Sequence, residues 1–249
     1  MGSDSKREFA RDLQKINPRR LIGRASENTE EFFLSLGLIY NDLKDLIFFD
    51  VILNEIYRIP DANKLEISAH AGEFSGIRNH IFRLEISMTH EFLNFLRKNS
   101  QVFESLEFKD ILSRLRKAQR DRWLEIQNVA MGESPSKAAS EFVKFLLRVR
   151  NNFTFHYEDA GKTLRKGYVN FFFKGEKSEA NEFAYYSLGE NMRDTRFYFA
   201  DAAVQQAVRQ ISEDDEAQSQ NENLGAFIKS MNETIWPLMR AYIRSRPSA

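Results

Sequence analysis

The stretch Glu141 to Asp159, EFVKFLLRVRNNFTFHYED, holds the densest set of chemically capable side chains in the chain: Arg148, Arg150, Asn151, Asn152, His156 and Tyr157. A guanidinium such as that of Arg150 offers a planar fork of donors that fits a phosphate. An imidazole such as that of His156 takes or gives a proton near neutral pH. The amides of Asn151 and Asn152 fix orientation by hydrogen bonds. A clamp, an orienting group and a proton carrier are what phosphate-directed chemistry asks for. A structural role for the same residues stays open. His156 borders an apolar face and could be a half-buried histidine bonded to a carbonyl. Arg148 and Arg150 could pair with Glu158, Asp159 or another helix near a helix C-terminus, where cations are favoured.

The elements that position this stretch read as long helices. Phe142, Phe145, Leu146, Val149 and Phe153 recur at the spacing of one helical face. Gly132 ends the preceding helix, and Ser134 with Pro135 reads as the start of the helix that carries the stretch. Upstream, Asn28 reads as an N-cap with Glu30 and Glu31 behind it. Phe32, Leu36, Ile39, Leu43, Leu46, Leu53 and Tyr57 then trace one stripe as far as Pro60, interrupted by Asp50. That aspartate is either a buried polar contact or displaced by a drift of the stripe that turns Ile47 and Val51 inward. A second helix is expected over Lys64 to Lys98, and a third from Val102 to Met131. The histidines at 70, 80 and 90 lie ten residues apart, form no i, i+4 ligand pair, and are expected at the surface.

The third helix carries a basic cluster, Arg114, Arg116, Lys117, Arg120 and Arg122, beside Trp123. It reads either as a phosphate track with a stacking indole or as a solvated face with Trp123 buried. After Gly161 the character changes. Residues 167–173, 183–186 and 197–199 are aromatic and read either as short strands of a small hairpin or as helical cover for the bundle. A helix from Ala200 to Ile211, an acidic polar loop made of 212–216 followed by Gln218, Ser219, Gln220 and Asn221, and a last helix from Glu222 to Arg244 follow. The organisation expected is a polar, basic N-terminal segment over 1–27, a long antiparallel helical bundle over 28–160, and a C-terminal aromatic-rich extension over 161–249 packing on it.

Composition narrows the classes. The 36 basic and 36 acidic residues cancel, so there is no global pull on nucleic acid. The chain has no Cys, which excludes thiolate catalysis, disulfides and cysteine-bound zinc and fits a cytoplasmic location. No apolar run approaches the ~20 residues of a membrane span, so a membrane is not an expected partner. There is no Gly-rich phosphate loop or serine nucleophile elbow.

Arg150-Asn151, followed after Asn152-Phe153-Thr154-Phe155 by His156 on a fourth long helix, resembles the signature of the HEPN superfamily. The resemblance covers residues 28–160 and is carried by Arg150, Asn151 and His156. It implies an all-helical, usually dimeric protein. Many members are metal-independent endoribonucleases, some of them toxins or defence components with a protein partner such as an antitoxin. Others have lost catalysis and serve as RNA-binding, nucleotide-binding or assembly modules. In the catalytic reading RNA supplies its own 2′-hydroxyl nucleophile, no cofactor is needed, and the product is a 2′,3′-cyclic phosphate. Arg148, Asn152, Tyr157 and the cluster from Arg114 to Arg122 would contact RNA. One geometric difficulty stands. Six residues of regular helix turn through about 600° and advance about 9 Å, leaving Arg150 and His156 about 120° apart. Either the helix is interrupted before His156, or a second copy completes the site.

Overall fold

The structure is a computed structural model that describes residues 16, 18–22, 26–57, 68–134, 136–154, 157–192, 195–211 and 217–246. It is mainly helical. The elements are α1 (Pro18–Leu21), α2 (Glu27–Tyr57), α3 (Ala69–Lys98), α4 (Ser100–Glu104), α5 (Leu106–Ser113), α6 (Lys117–Met131), α7 (Lys137–Val149), a π turn (Arg150–Thr154), α8 (Tyr157–Val169), a second π turn (Asn170–Lys174), α9 (Glu179–Glu182), α10 (Tyr198–Ile211) and α11 (Ala217–Ser245). No helix among the described residues is long and apolar enough to cross a membrane.

Helices α2 and α3 run antiparallel. Phe32, near the start of α2, stacks on Phe95, near the end of α3, at 5.0 Å, while Tyr57 at the end of α2 meets His70 at the start of α3 at 4.8 Å. Phe32 is also the hub of the core, with the rings of Phe33, Phe103, Phe108 and Trp123 edge-on around it. The core continues without a break into the C-terminal part of the chain. Leu224, Ile228, Met231, Ile235 and Leu238 of α11 are buried in the same cluster as Leu36 of α2 and Phe145 of α7.

Several boundaries differ from the sequence reading, each for a local reason. Ser26 rather than Asn28 caps α2, its Oγ accepting from the backbone N–H of Thr29 at 3.4 Å. The third helix is broken into α4, α5 and α6. Ser105 takes an extended conformation and caps α5 by accepting from Phe108 N at 3.1 Å. Arg116 is likewise extended, with Gln119 folded back onto its N–H. These breaks let Val102, Phe103, Phe108, Ile111 and Leu115 all turn inward. Gly132 does end α6, at φ 73°, but the cap of α7 is Ser136 rather than Ser134. Residues 58–67 (with Pro60 and the expected helix start at Lys64), Pro135, most of the basic N-terminal segment and the acidic first part of the expected loop, 212–216, lie outside the described residues. The rest of that loop, Gln218 to Asn221, is helical instead and belongs to α11, where Gln220 is buried.

Gly161 does not end the helix that follows the polar stretch: α8 runs on to Val169. Of the two readings of residues 167–173, the helical one is observed. α8 packs so closely on α10 that a Cβ on Gly167 would lie 2.2 Å from the carbonyl oxygen of Ala203. The described residues hold no strand, and the hairpin reduces to one antiparallel bridge between Ser187 and Arg196. That bridge is anchored from the side. The Arg196 guanidinium lies over Gly76 of α3, where a Cβ would collide with it, and joins Glu73 at 2.8 Å to Asp201 at 2.9 Å.

Ile47 is exposed, so the stripe of α2 does not drift toward it, while Val51 is half-buried. Asp50 stays half-buried and accepts from Asn54 at 3.2 Å. It also faces Glu85 of α3, whose carboxyl is pushed up to about 7, first by burial and then by the Asp50 charge, with Arg78 opposing.

Candidate functional site

The amphipathic run behaves as its spacing requires. Phe142, Phe145, Leu146, Val149 and Phe153 are all buried, and the polar side chains between them are left on the outer face. Regular α-helix stops at Val149, and the chain passes into the π turn Arg150–Thr154. Two side chains take up carbonyls there. The Asn152 amide donates to the Arg148 carbonyl at 2.7 Å, a bond that competes with the helix ladder. From α3, Arg83 donates to the Phe153 carbonyl at 2.8 Å. The Thr163 hydroxyl of α8 meets the Asn152 side-chain oxygen at 3.4 Å and ties the next helix to the turn. A π turn inside a helix is costly and is found preferentially at functional sites.

Arg150, Asn151 and Asn152 are therefore gathered on this turn, with Arg148 in the last turn of α7 before it. Arg148 and Asn151 are exposed, and Arg150 and Asn152 are half-buried. Arg150 donates to the Asn151 side-chain oxygen at 3.2 Å and pairs with Glu91 of α3 at 3.1 Å. Both partners of that ion pair remain partly in water, where such a pair contributes about 0–1 kcal/mol, so an incoming phosphate can displace the carboxylate. His156 and the Tyr157 side chain lie outside the described residues, and Tyr157 is seen only as the first residue of α8.

The face of α3 against the turn supplies groups that the sequence reading did not single out. His90 is not a surface histidine: it is 8% exposed. The Asn94 amide lies 3.1 Å from its Nδ1 and the Glu91 carboxylate 3.6 Å away. Burial holds its pKa below the usual range, opposed by Glu91 and reinforced by Arg150 and Arg97. The shift favours the neutral ring, and its contact with Glu91 is an ion pair only when the ring is protonated. His80 is also lowered, by partial burial and then by Arg83 and Arg196. Its Nδ1 lies 3.3 Å from Arg83, the residue that holds the Phe153 carbonyl. The signal for His90 was present in the spacing. It stands four residues after Ile86 and three before Leu93, both buried.

The basic cluster lies elsewhere, on α6 and the link that precedes it, and much of its charge is already matched. Arg114 pairs with Asp110 at 2.8 Å, Lys117 with Asp121 at 2.6 Å, and Arg122 with Glu233. Arg120 meets the Ser113 carbonyl at 3.4 Å, and Arg116 is exposed at the start of α6. Trp123 is 0% exposed within the core, so the stacking reading of its indole is overturned. Among the described residues no group of three His, Cys, Asp or Glu side chains is arranged to hold a metal ion. No family model matches the chain, and neither a curated protein nor a solved structure is detectably similar to it.

Proposed function

We propose that the chain is an endoribonuclease of the HEPN kind, built on an antiparallel helical bundle, that cleaves RNA without a metal ion. The observation that carries this reading is the π turn beginning at Arg150. Its wider i→i+5 bonding interrupts the regular helix over residues 150–154, which supports the first of the two ways a site on this motif can be built, an interruption of the helix rather than a straight run. Arg150 holds the phosphodiester and stabilises the extra charge of the transition state. Asn151 orients it. His156 exchanges the proton as the 2′-oxygen attacks phosphorus and the 5′-oxygen leaves. The products are a 2′,3′-cyclic phosphate and a 5′-hydroxyl. One histidine per site handles one of the two protons, and a homodimer that apposes two motifs supplies the second. A toxin or defence role with a protein antagonist is the biological setting that the resemblance suggests.

A non-catalytic module for RNA binding or protein assembly is the second reading. It is favoured by the Glu91 carboxylate already bound at Arg150. The two part in one experiment: incubation of a mixed RNA pool with the purified chain in EDTA, beside Arg150→Ala and His156→Ala. A ribonuclease yields cyclic-phosphate ends with the parent and loses at least a hundredfold in rate in either variant at equal folded content. No cleavage by folded parent chain sinks the catalytic reading and leaves the module.

A further inference from the structure

Among the described residues, a run of cations without partners lies on α8 and just beyond it, rather than in the Arg114–Arg122 cluster. Residues 160–178 contain Lys162, Arg165, Lys166, Lys174 and Lys177 against one acid, Glu176, a local excess of 5 − 1 = +4. All five are exposed, and none forms an ion pair or side-chain hydrogen bond among the described residues. Lys162, Arg165 and Lys166 share the outer face of α8, at i, i+3 and i+4, opposite the buried Ala160 and Gly167. The row starts beside the turn that carries Arg150. It reaches Lys174 about 18 Å further along, at 1.5 Å per residue.

At the far end of that row lies a second aromatic assembly, separate from the buried core. Tyr168 contacts Phe172 at 4.5 Å, Phe173 at 6.2 Å and Phe199 at 6.4 Å, and Phe199 contacts Phe197 at 5.8 Å. The Phe199 N–H bonds the Tyr185 carbonyl at 3.1 Å, and Tyr185 contacts Phe183 at 6.4 Å. Three of these rings face solvent: Phe173 is 75% exposed, Phe183 60% and Phe197 50%. They are held on a braced backbone. The Asn181 amide donates to the Phe171 carbonyl at 3.1 Å and the Glu176 carbonyl at 2.8 Å, and the Ser187–Arg196 bridge is fixed by Glu73 and Asp201.

A row of uncompensated cations leading to exposed aromatic faces is what a flexible polyanion with stackable bases requires. Electrostatic contact tracks the phosphates, and rings accept bases that a duplex would keep stacked within itself. We infer that α8 and the aromatic face at its end form a track for single-stranded RNA, with phosphates along Lys162, Arg165, Lys166 and Lys174 and bases against Phe173, Phe183 and Phe197. This rests on the reading of the Arg150 turn as directed to RNA and names its substrate class as unpaired strand.

The test is binding of a labelled single strand of about 12 nucleotides, and of its duplex, to the His156→Ala chain in EDTA, so that cleavage cannot intrude. The expected result is preference for the single strand. Joint Phe173→Ala, Phe183→Ala and Phe197→Ala substitution weakens it at least tenfold. Joint Lys162→Ala, Arg165→Ala and Lys166→Ala lowers the slope of log affinity against log salt by about 2, since each phosphate contact to a single strand contributes about 0.7. If the aromatic triple fails to fold, Phe173→Trp and Phe173→Leu decide. Stacking is kept by Trp, with its emission quenched on binding, and lost by Leu. Unchanged affinity in both sets, with RNA still cleaved by the parent, overturns the track and leaves the ribonuclease standing. Binding as predicted with no cleavage by the parent keeps the track and removes the ribonuclease. Self-association through the aromatic face with no RNA bound gives that face to a second copy and overturns the proposal.

Discussion

At the scale of single residues, two carboxylates have testable consequences. Glu85 has its folded pKa raised to about 7, mainly by burial. A raised value means that the folded state keeps a proton that the unfolded state releases. The associated stability is complete below the unfolded value of 4.5 and is lost as pH rises through about 7. Glu85→Gln removes that loss. The difference in unfolding free energy between parent and variant should move by about 1–3 kcal/mol in favour of Gln between pH 5 and pH 8. Urea titrations at the two pH values measure it, and a constant difference would show that Glu85 titrates normally. Glu91 bears on the proposed function. Glu91→Gln takes the competing charge from Arg150 while costing less than about 1 kcal/mol. RNA should then bind more tightly, by a few-fold in fluorescence anisotropy. Weaker binding would mean that the carboxylate positions Arg150 rather than competing for it.

At the scale of elements, the junction of α7 and α8 depends on a side chain from a third helix. Arg83→Ala leaves the Phe153 carbonyl without its donor, a loss of about 1–3 kcal/mol for a buried acceptor. The amides of α8 should then exchange with deuterium faster while those of α2 are unaffected. Equal protection in both forms would mean that the π turn holds itself. This element also shows where sequence patterns stop being informative. The five buried positions of the amphipathic run, from Phe142 to Phe153, follow from period alone. The π turn in their midst does not, because one of its partners, Arg83, is 70 residues away in sequence and no local residue type encodes that bond. The break at Ser105 was written locally, as a serine three residues before a buried Phe108, but the apolar period ran through it and masked it. Arg116 gave less warning still, since arginine is not a residue that ordinarily caps a helix. The motif was legible as a list of residue types, whereas its surroundings on α3 were not, since the contacts of Glu91 with Arg150 and of Arg83 with Phe153 arise only on packing.

At the scale of the whole molecule, α11 closes the same core that α2 opens. Met231 and Leu36 are both fully buried. Met231→Ala and Leu36→Ala should therefore each cost about 2–5 kcal/mol and lower one shared transition. Far-ultraviolet and near-ultraviolet circular dichroism should give coincident unfolding curves in both. Two separated transitions would mean that residues after 160 fold on their own. The same view sets apart Arg196, one cation between Glu73 and Asp201. In its absence the two carboxylates face each other without a counter-charge, so an attraction becomes a repulsion. The helix bearing Glu73 and the helix bearing Asp201 would then drive each other apart, and the segment from Phe183 to Phe197 would become the place where a protease cuts first. Arg196 is thus the charged fastening of the aromatic display, beside the Asn181 amide and the Phe199–Tyr185 bond, and its loss would loosen the display while the core beneath it stayed closed.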